Sequence, residues 1–124
     1  MTPDPTPATP LVLVLEDEPM ILMELRFALE DEGIRSVDAF TAEEALARIA
    51  QAPPDAAILD VNLGGGETCE PVAQHLRTLG VPFILYTGDL DRQGELVASL
   101  QAEVVPKPTP GHLVAQRALG LIGR

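Results

Sequence analysis

The sequence is poor in aromatic residues and in residues of positive charge. Aromatic side chains make up 3% of its 124 residues and tryptophan is absent, so the core has to be built from Leu, Val, Ile and Ala. Eight Lys and Arg stand against 19 Asp and Glu, which gives a formal net charge of −11. Binding to nucleic acid depends on Lys and Arg that neutralise phosphates. This balance therefore argues against a nucleic-acid partner and against an anionic membrane surface.

Cysteine and long apolar runs are scarce as well. The single cysteine, Cys69, has no partner for an internal disulfide, which suits a reducing compartment. No apolar run approaches the roughly 18 residues that a transmembrane helix needs. The first residues also lack the charged start and apolar stretch that are typical of a secretory signal. We therefore expect no membrane partner and a cytoplasmic location.

Short apolar runs alternate with segments of helical spacing from Leu11 onward. Residues 1–10 (MTPDPTPATP) contain four prolines and little apolar surface, so we expect a disordered tail before one folded domain over residues 11–124. The runs predict five strands, at residues 11–15, 34–40, 56–61, 82–87 and 103–105. The alternation predicts an α/β fold with a parallel sheet covered by helices on both faces.

Five helices are predicted between and after the strands from their start signals. Proline in the first turn, a hydroxyl before the helix and a Thr-x-x-Glu capping box all mark helix N-termini. These signals place helix starts at Pro19, at the Thr41–Glu44 capping box, at Thr68, at Asp91 and at Thr109 with Pro110. The last helix is expected to run to about Ile122. Met20 and Met23 have the spacing of core residues on the first helix.

Polar side chains follow four of the five predicted strands. In parallel α/β sheets, ligands bind beyond the carboxyl ends of the strands. The residues at those ends are Glu16, Asp17 and Glu18, then Asp60, then Thr87, and finally Lys107 between two prolines. Carboxylates, a hydroxyl and an ammonium group are thus expected to meet at one edge of the sheet.

This set of side chains suits phosphoryl chemistry that depends on a metal ion. Clustered carboxylates favour a hard divalent cation, and Mg²⁺ binds one or two carboxylates together with waters and phosphate oxygens. A carboxylate can also attack phosphorus and form an aspartyl phosphate. A lysine and a hydroxyl would then contact the remaining phosphoryl oxygens.

Four segments in order, LVLEDEP, ILDVNL, ILYTG and VVPKP, resemble the receiver domain of two-component response regulators over Leu11 to about Ile122. The resemblance implies a flavodoxin-like (βα)5 fold in which Asp60 is the phosphoacceptor. It also implies roles at the strand ends: Mg²⁺ bound by Glu16, Asp17, Asp60 and the main-chain carbonyl of Asn62, and a phosphoryl group contacted by Thr87 and Lys107. The Lys107–Pro108 bond is expected to be cis.

The resemblance implies partners as well as a site. Asp60 would receive its phosphoryl group from a histidine kinase or a histidine phosphotransfer protein. We expect no enzymatic activity beyond this transfer and the loss of the phosphoryl group, and an effect that passes to a downstream protein without an output domain. The oligomeric state stays open, but many receivers pair through the last two helices and the fifth strand, so a homodimer through that face is one expectation.

A narrower likeness covers the middle of the chain. The segment from Asp60 to Asp91 is similar to stand-alone receivers known chiefly from alphaproteobacteria, with a glycine-rich loop after the acceptor and a Phe-Ala-Thr-Gly strand end. Here the strand end reads Leu-Tyr-Thr-Gly, so the match is partial. Many receivers also have an aromatic residue three positions before the lysine, and this chain has Val104 there. The usual threonine and aromatic switch is therefore not available.

Other interpretations of the same residues stay open. A phosphorylation-independent scaffold that binds its partner constitutively is favoured by Val104. A phosphatase of the haloacid-dehalogenase kind would need its Asp-x-Asp pair after the first strand, whereas Asp60 follows the third and Asn62 stands where the second Asp would be. The glycines at 64–66 lack the Lys-Ser/Thr of a nucleotide-binding loop, so we interpret them as loop flexibility. His75 and His112 have no metal or phosphorelay pattern, and Cys69 is interpreted as a buried thiol.

Overall fold

The computed structural model of the chain describes residues 9–88 and 94–122. In chain order, the strands are β1 (Leu11–Leu15), β2 (Arg35–Ala39), β3 (Ala56–Leu59), β4 (Asn62–Gly64), β5 (Glu67–Thr68), β6 (Phe83–Thr87) and β7 (Glu103–Pro106). The helices are α1 (Pro19–Asp31), α2 (Ala42–Gln51), α3 (Glu70–Leu79), α4 (Gly94–Leu100) and α5 (Gly111–Leu119). Residues 1–8 of the predicted disordered tail and the predicted helix start at Asp91 lie outside the described residues.

Five of the strands form one parallel sheet in the order β2-β1-β3-β6-β7. Within the described residues five helices cover the two faces of this sheet, so the predicted fold class is confirmed. The central strands β3 and β6 are buried along their whole length, as expected for strands with helices on both sides. None of the described helices is long and apolar enough to cross a membrane.

Alternate residues of β1, β3, β6 and β7 contribute to two hydrophobic layers, because successive side chains of a strand point to opposite faces. Leu13 and Leu15 of β1 lie in a layer formed with α2, α3 and α4. Val12 and Val14 lie in the other layer, formed with α1 and α5. The two layers hold the carboxyl ends of the strands at fixed positions relative to one another.

Two of the predicted helix starts are well defined in the structure. Pro19 occupies the first turn of α1. At α2, the Thr41 hydroxyl accepts a hydrogen bond from the Glu44 N–H at 3.1 Å, which is half of a capping box. The Glu44 carboxylate accepts its bond from the N–H of Phe40, at 2.8 Å, rather than from that of Thr41.

The expectation that Met20 and Met23 belong to the core is wrong. Their exposed fractions are 83% and 51%, whereas α1 buries Leu22, Leu25 and Leu29. The first helix carries apolar residues on both sides, and only one side packs on the sheet. The sequence alone therefore does not distinguish the buried stripe from the exposed one.

Several predicted boundaries need correction by one to three residues. Strand ends differ from the prediction by one or two residues. The last helix begins at Gly111 rather than Thr109, because Pro110 occupies the N-cap, and it ends at Leu119. Cys69 is the N-cap of α3, although the Thr68 hydroxyl accepts a hydrogen bond from the Glu70 N–H at 3.3 Å.

Candidate functional site

The carboxyl ends of β1 and β3 hold two acidic residues side by side. Leu15 lies opposite Leu59 in the parallel register, so Glu16 and Asp60 follow their strands at the same level. The Asp60 N–H donates to the Leu15 carbonyl at 2.9 Å, and the Glu16 N–H donates to the Ala39 carbonyl at 3.0 Å. These backbone bonds continue the sheet and make the starting points of both side chains rigid.

Lys107 joins this pair from the end of β7. Its N–H donates to the Thr87 carbonyl at 3.0 Å, which places it beside the end of β6. Its ammonium Nζ lies 2.9 Å from Glu16 Oε1 and 3.4 Å from Asp60 Oδ2. The same Nζ lies 5.4 Å from the centroid of the Tyr86 ring. The Lys107–Pro108 bond is cis, as expected.

Three carboxylates form a cluster at this edge of the sheet. One oxygen from each of Glu16, Asp17 and Asp60 lies within 4.8 Å of the others. Glu16 and Asp60 are buried and Asp17 is half-buried. The cluster opens to a cleft of about 320 Å³ that is also lined by Asn62, Thr87 and Lys107. Hard oxygen ligands with one side open to water are the donor set that Mg²⁺ prefers, so these residues fit that ion.

Burial and mutual repulsion change the pKa values of these groups. Burial, with a further contribution from the nearby Glu16 charge, raises the pKa of Asp60 to about 8. Burial also raises the pKa of Glu16, although the hydrogen bond from Lys107 opposes the rise. Burial works to lower the pKa of Lys107, but its hydrogen bond to Glu16 and the Asp60 charge prevail and raise it. Lys107 therefore carries a full charge beside two carboxyls that resist ionisation.

A short hairpin of β4 and β5 follows Asp60. Asn62 Oδ1 accepts a hydrogen bond from the Gly64 N–H at 3.0 Å. Gly64 has a φ of +87°, and a Cβ built there would lie 3.6 Å from Asp17 Oδ2. The left-handed φ favours glycine at this position, next to a carboxylate of the cluster. The segment that we interpreted as a flexible glycine loop is therefore a turn between two paired strands.

The hairpin is attached to the rest of the fold through its second strand, β5. Glu67 Oε2 accepts a hydrogen bond from the Ala42 N–H, the first residue of α2, at 3.1 Å. The Cys69 N–H donates to the Val61 carbonyl at 3.0 Å. Sequence reasoning assigned no role to Glu67. Two short runs separated by glycines are a hairpin signal that would have pointed to it.

The structure therefore brings together all six residues that the sequence singled out at this site. They are Glu16, Asp17, Asp60, Asn62, Thr87 and Lys107. Their roles in metal and phosphoryl binding stay predictions. His75 and His112 are exposed on α3 and α5, away from the cleft. Cys69 is fully buried, and burial raises the pKa of its thiol to about 12, which agrees with an inert buried thiol.

Comparison with known protein families gives a match to the response regulator receiver domain over residues 12–116. Among curated proteins, the KDP operon transcriptional regulatory protein KdpE of Escherichia coli is 33% identical over 87 residues, which cover 70% of this chain and 39% of that protein. KdpE of Mycobacterium tuberculosis is 47% identical over 53 residues, or 43% of this chain and 24% of that protein. The matched region thus spans about two fifths or less of these relatives.

Solved structures agree with this assignment. SdrG from Sphingomonas melonis is 37% identical, with a TM-score of 0.75, 92% of this chain covered and 96% of that one. A response regulator from Chloroflexus aurantiacus is 26% identical, with a TM-score of 0.78 and coverages of 94% and 99%. A CheY-like receiver domain from Methylobacillus flagellatus, at 20% identity and a TM-score of 0.75, supports the fold alone.

Proposed function

Because the chain belongs to the response regulator receiver domain family, we propose that it is a phosphoacceptor switch of a two-component or phosphorelay pathway. In this proposal Asp60 accepts the phosphoryl group and Mg²⁺ is the cofactor. The observation that carries it is the shared ion pair, in which the Lys107 ammonium contacts both Glu16 and Asp60 at the base of the cleft. The fixed cation beside the buried carboxyls would offset the negative charge of a phosphoryl group, which is a dianion.

The proposed transfer is a displacement at phosphorus. A carboxylate oxygen of Asp60 attacks the phosphorus of a phosphohistidine, and the P–N bond breaks with its electron pair left on the imidazole nitrogen of the donor. The product is an acyl phosphate on Asp60. Lys107 and Thr87 would contact the phosphoryl oxygens and balance their charge. Hydrolysis of the acyl phosphate by water resets the switch, and no other turnover is proposed.

The Mg²⁺ ion would be held by oxygen atoms of the acidic cluster. Glu16, Asp17 and Asp60 supply carboxylates, and the main-chain carbonyl of Asn62 is the fourth proposed protein ligand. When bound, the ion supplies positive charge that lets the carboxylates ionise and the phosphoryl oxygens approach. The hairpin turn at Gly64 keeps its backbone close to Asp17, so it would hold that side of the ion site.

The proposed partners are proteins. A histidine kinase or a histidine phosphotransfer protein donates the phosphoryl group, and a downstream protein in the cytoplasm reads the modified surface. The curated relatives are named transcriptional regulators, but the net charge of −11 on this chain opposes contact with a phosphate backbone. Phosphorylation would shift the populations of two conformations, by as much as the phosphoryl group favours one of them.

The first test is labelling of Asp60. With Mg²⁺ and a small acyl phosphate donor, the wild-type chain should gain one phosphoryl group by intact mass, and Asp60→Asn should gain none. Asp31→Asn is the matched control, because Asp31 is an exposed aspartate at the end of α1. Labelling of Asp60→Asn at the wild-type level would remove Asp60 from the role of acceptor.

A second candidate function is a scaffold that binds its partner without phosphorylation. It is favoured by Val104, a half-buried aliphatic residue where many receivers have the aromatic residue of the switch. Affinity capture with the wild-type chain, with and without phosphodonor, and with Asp60→Asn distinguishes the two functions. Equal capture of the same partner by the wild type with phosphodonor, the wild type without it and Asp60→Asn would establish the scaffold function.

A further inference from the structure

Tyr86 lies between the acidic cluster and the segment that leads into α5. It is the residue of β6 directly before Thr87, and its side chain is buried in the layer formed with α1 and α5. Its ring centroid lies 5.4 Å from Lys107 Nζ, within the range of a cation–π contact. Its hydroxyl donates to the Thr109 carbonyl at 2.9 Å and accepts from the Thr109 N–H at 3.2 Å.

We propose that Tyr86 is a positioning residue for the phosphoacceptor site: its ring holds the Lys107 ammonium beside Glu16 and Asp60, and its hydroxyl connects that arrangement to Thr109. The role in phosphotransfer rests on the proposed function, but the positioning itself does not. It is a property of the unmodified protein, so it is tested without a phosphodonor.

The ring supplies a restraint that a lysine needs at this place. A lysine side chain has four flexible carbon–carbon bonds and an ammonium group without directional geometry, so charge alone does not define its position. The side chain of Lys107 is only 15% exposed. Glu16 and Asp60 attract its ammonium, and the Tyr86 ring adds an electron-rich surface at a third position. Together these three contacts define where the charge lies.

The hydroxyl connects the same ring to the start of α5. Both polar backbone groups of Thr109 bond to one oxygen, that of Tyr86. The Thr109 hydroxyl in turn donates to the Pro106 carbonyl at 2.5 Å, next to Lys107. Two residues beyond Thr109, the Gly111 N–H donates to Glu24 Oε2 of α1 at 2.8 Å. Few contacts therefore separate Lys107 from the junction of α1 and α5.

Two substitutions separate the ring from the hydroxyl. Tyr86→Phe keeps the ring beside Lys107 and removes the bonds to Thr109. Tyr86→Leu removes both. If the ring positions the ammonium, only Tyr86→Leu should disturb Lys107. Both variants should lose the hydrogen bonds to Thr109.

Magnetic resonance of the unmodified protein tests the positioning directly. Lys107 is the only lysine of the chain, so lysine labelled with ¹³C at Cε gives one side-chain signal. We expect its ε protons to be shifted upfield by the ring in the wild type and in Tyr86→Phe, and to move toward the position of free lysine in Tyr86→Leu. Unshifted ε protons in the wild type would overturn the proposal, whether or not the leucine variant folds.

Phosphorylation rates give the second readout. With saturating Mg²⁺ and a small phosphodonor, Tyr86→Leu should slow labelling about tenfold, and Tyr86→Phe less than about twofold. In a Lys107→Met background, the leucine substitution should cause no further loss, because the residue it positions is gone. Equal slowing in both backgrounds would show a general structural role and overturn the proposal. Absence of labelling in every variant, with the expected lysine shifts, would contradict the proposed function alone.

Discussion

At the scale of single residues, the surroundings of the Asp60 carboxyl oppose the ionised form that its proposed role as phosphoacceptor needs. Burial and the Glu16 charge raise its pKa to about 8, so near neutral pH a proton competes with Lys107 and with any metal ion for the Asp60 carboxyl. Attack on phosphorus and binding of a divalent cation both need the ionised form. A cation that binds Asp60 therefore has to displace a proton.

We predict that the affinity for Mg²⁺ rises with pH. A raised carboxyl pKa means that the unbound protein holds a proton up to about pH 8, so Mg²⁺ binding below that pH includes the loss of that proton. The apparent association constant should increase by up to about tenfold per pH unit between pH 6 and 7.5, and should level off above pH 8. Titration calorimetry at several pH values measures this change.

Asp60→Asn is the control for the pH effect. It leaves Glu16 and Asp17 in place, and the Glu16 carboxyl, whose pKa burial also raises, still contributes some dependence. The slope against pH should therefore become shallower in this variant. A constant affinity for the wild type between pH 6 and 8 would contradict the assignment of a protonated Asp60.

At the scale of elements, the sequence predicted every strand of the main sheet but not the hairpin. Alternating apolar runs report burial directly, so the five strands were recognised with errors of one or two residues. The glycines at 64–66 are a local hairpin signal that we interpreted as loop flexibility. The bond from the Ala42 N–H to Glu67 joins residues 25 positions apart, so no local pattern reports it. In α1, the apolar residues on both sides concealed which side packs on the sheet.

We predict that Glu67 anchors this hairpin beside Asp60. Glu67→Ala removes the acceptor of the Ala42 N–H and should speed amide hydrogen exchange at residues 64–68 about fivefold, as expected for one lost bond of about 1 kcal/mol. Thr41→Ala is the matched control, because it removes an acceptor from the same helix end, namely the cap of the Glu44 N–H.

The two variants should weaken different regions of the protein by similar free energies. Thr41→Ala should lower the free energy of unfolding by about 1 kcal/mol in urea titrations. In Thr41→Ala, amide exchange at residues 64–68, measured relative to exchange through global unfolding, should be the same as in the wild type. Equal acceleration of the hairpin in both variants would mean that Glu67 acts only through α2.

At the scale of the whole molecule, the candidate site was predictable because a parallel sheet gathers its strand ends. Glu16 and Lys107 are 91 positions apart, yet they form an ion pair because β1 and β7 end at the same edge. What the sequence did not predict is the contact of Tyr86 with Lys107 and Thr109. That contact depends on side-chain conformations and on the path of the segment before α5, which strand patterns do not specify.

Labelling of the buried Cys69 thiol can measure how often the folded protein opens. Cys69 is the single thiol of the chain, it is 0% exposed, and burial raises its pKa to about 12, so a thiol reagent finds neither access nor thiolate in the closed fold.

We predict that a disulfide reagent labels the native protein at least about 1,000-fold more slowly than the protein in urea, at a rate proportional to the open fraction. Stopped-flow or manual mixing with absorbance detection measures the labelling rate. Labelling of the native protein at the rate in urea would show that the layer of α2, α3 and α4 opens without unfolding. When labelling is limited by opening, as predicted, a ligand that binds the cleft of the closed fold is detectable, without a label on the ligand, by how far it slows the labelling of Cys69.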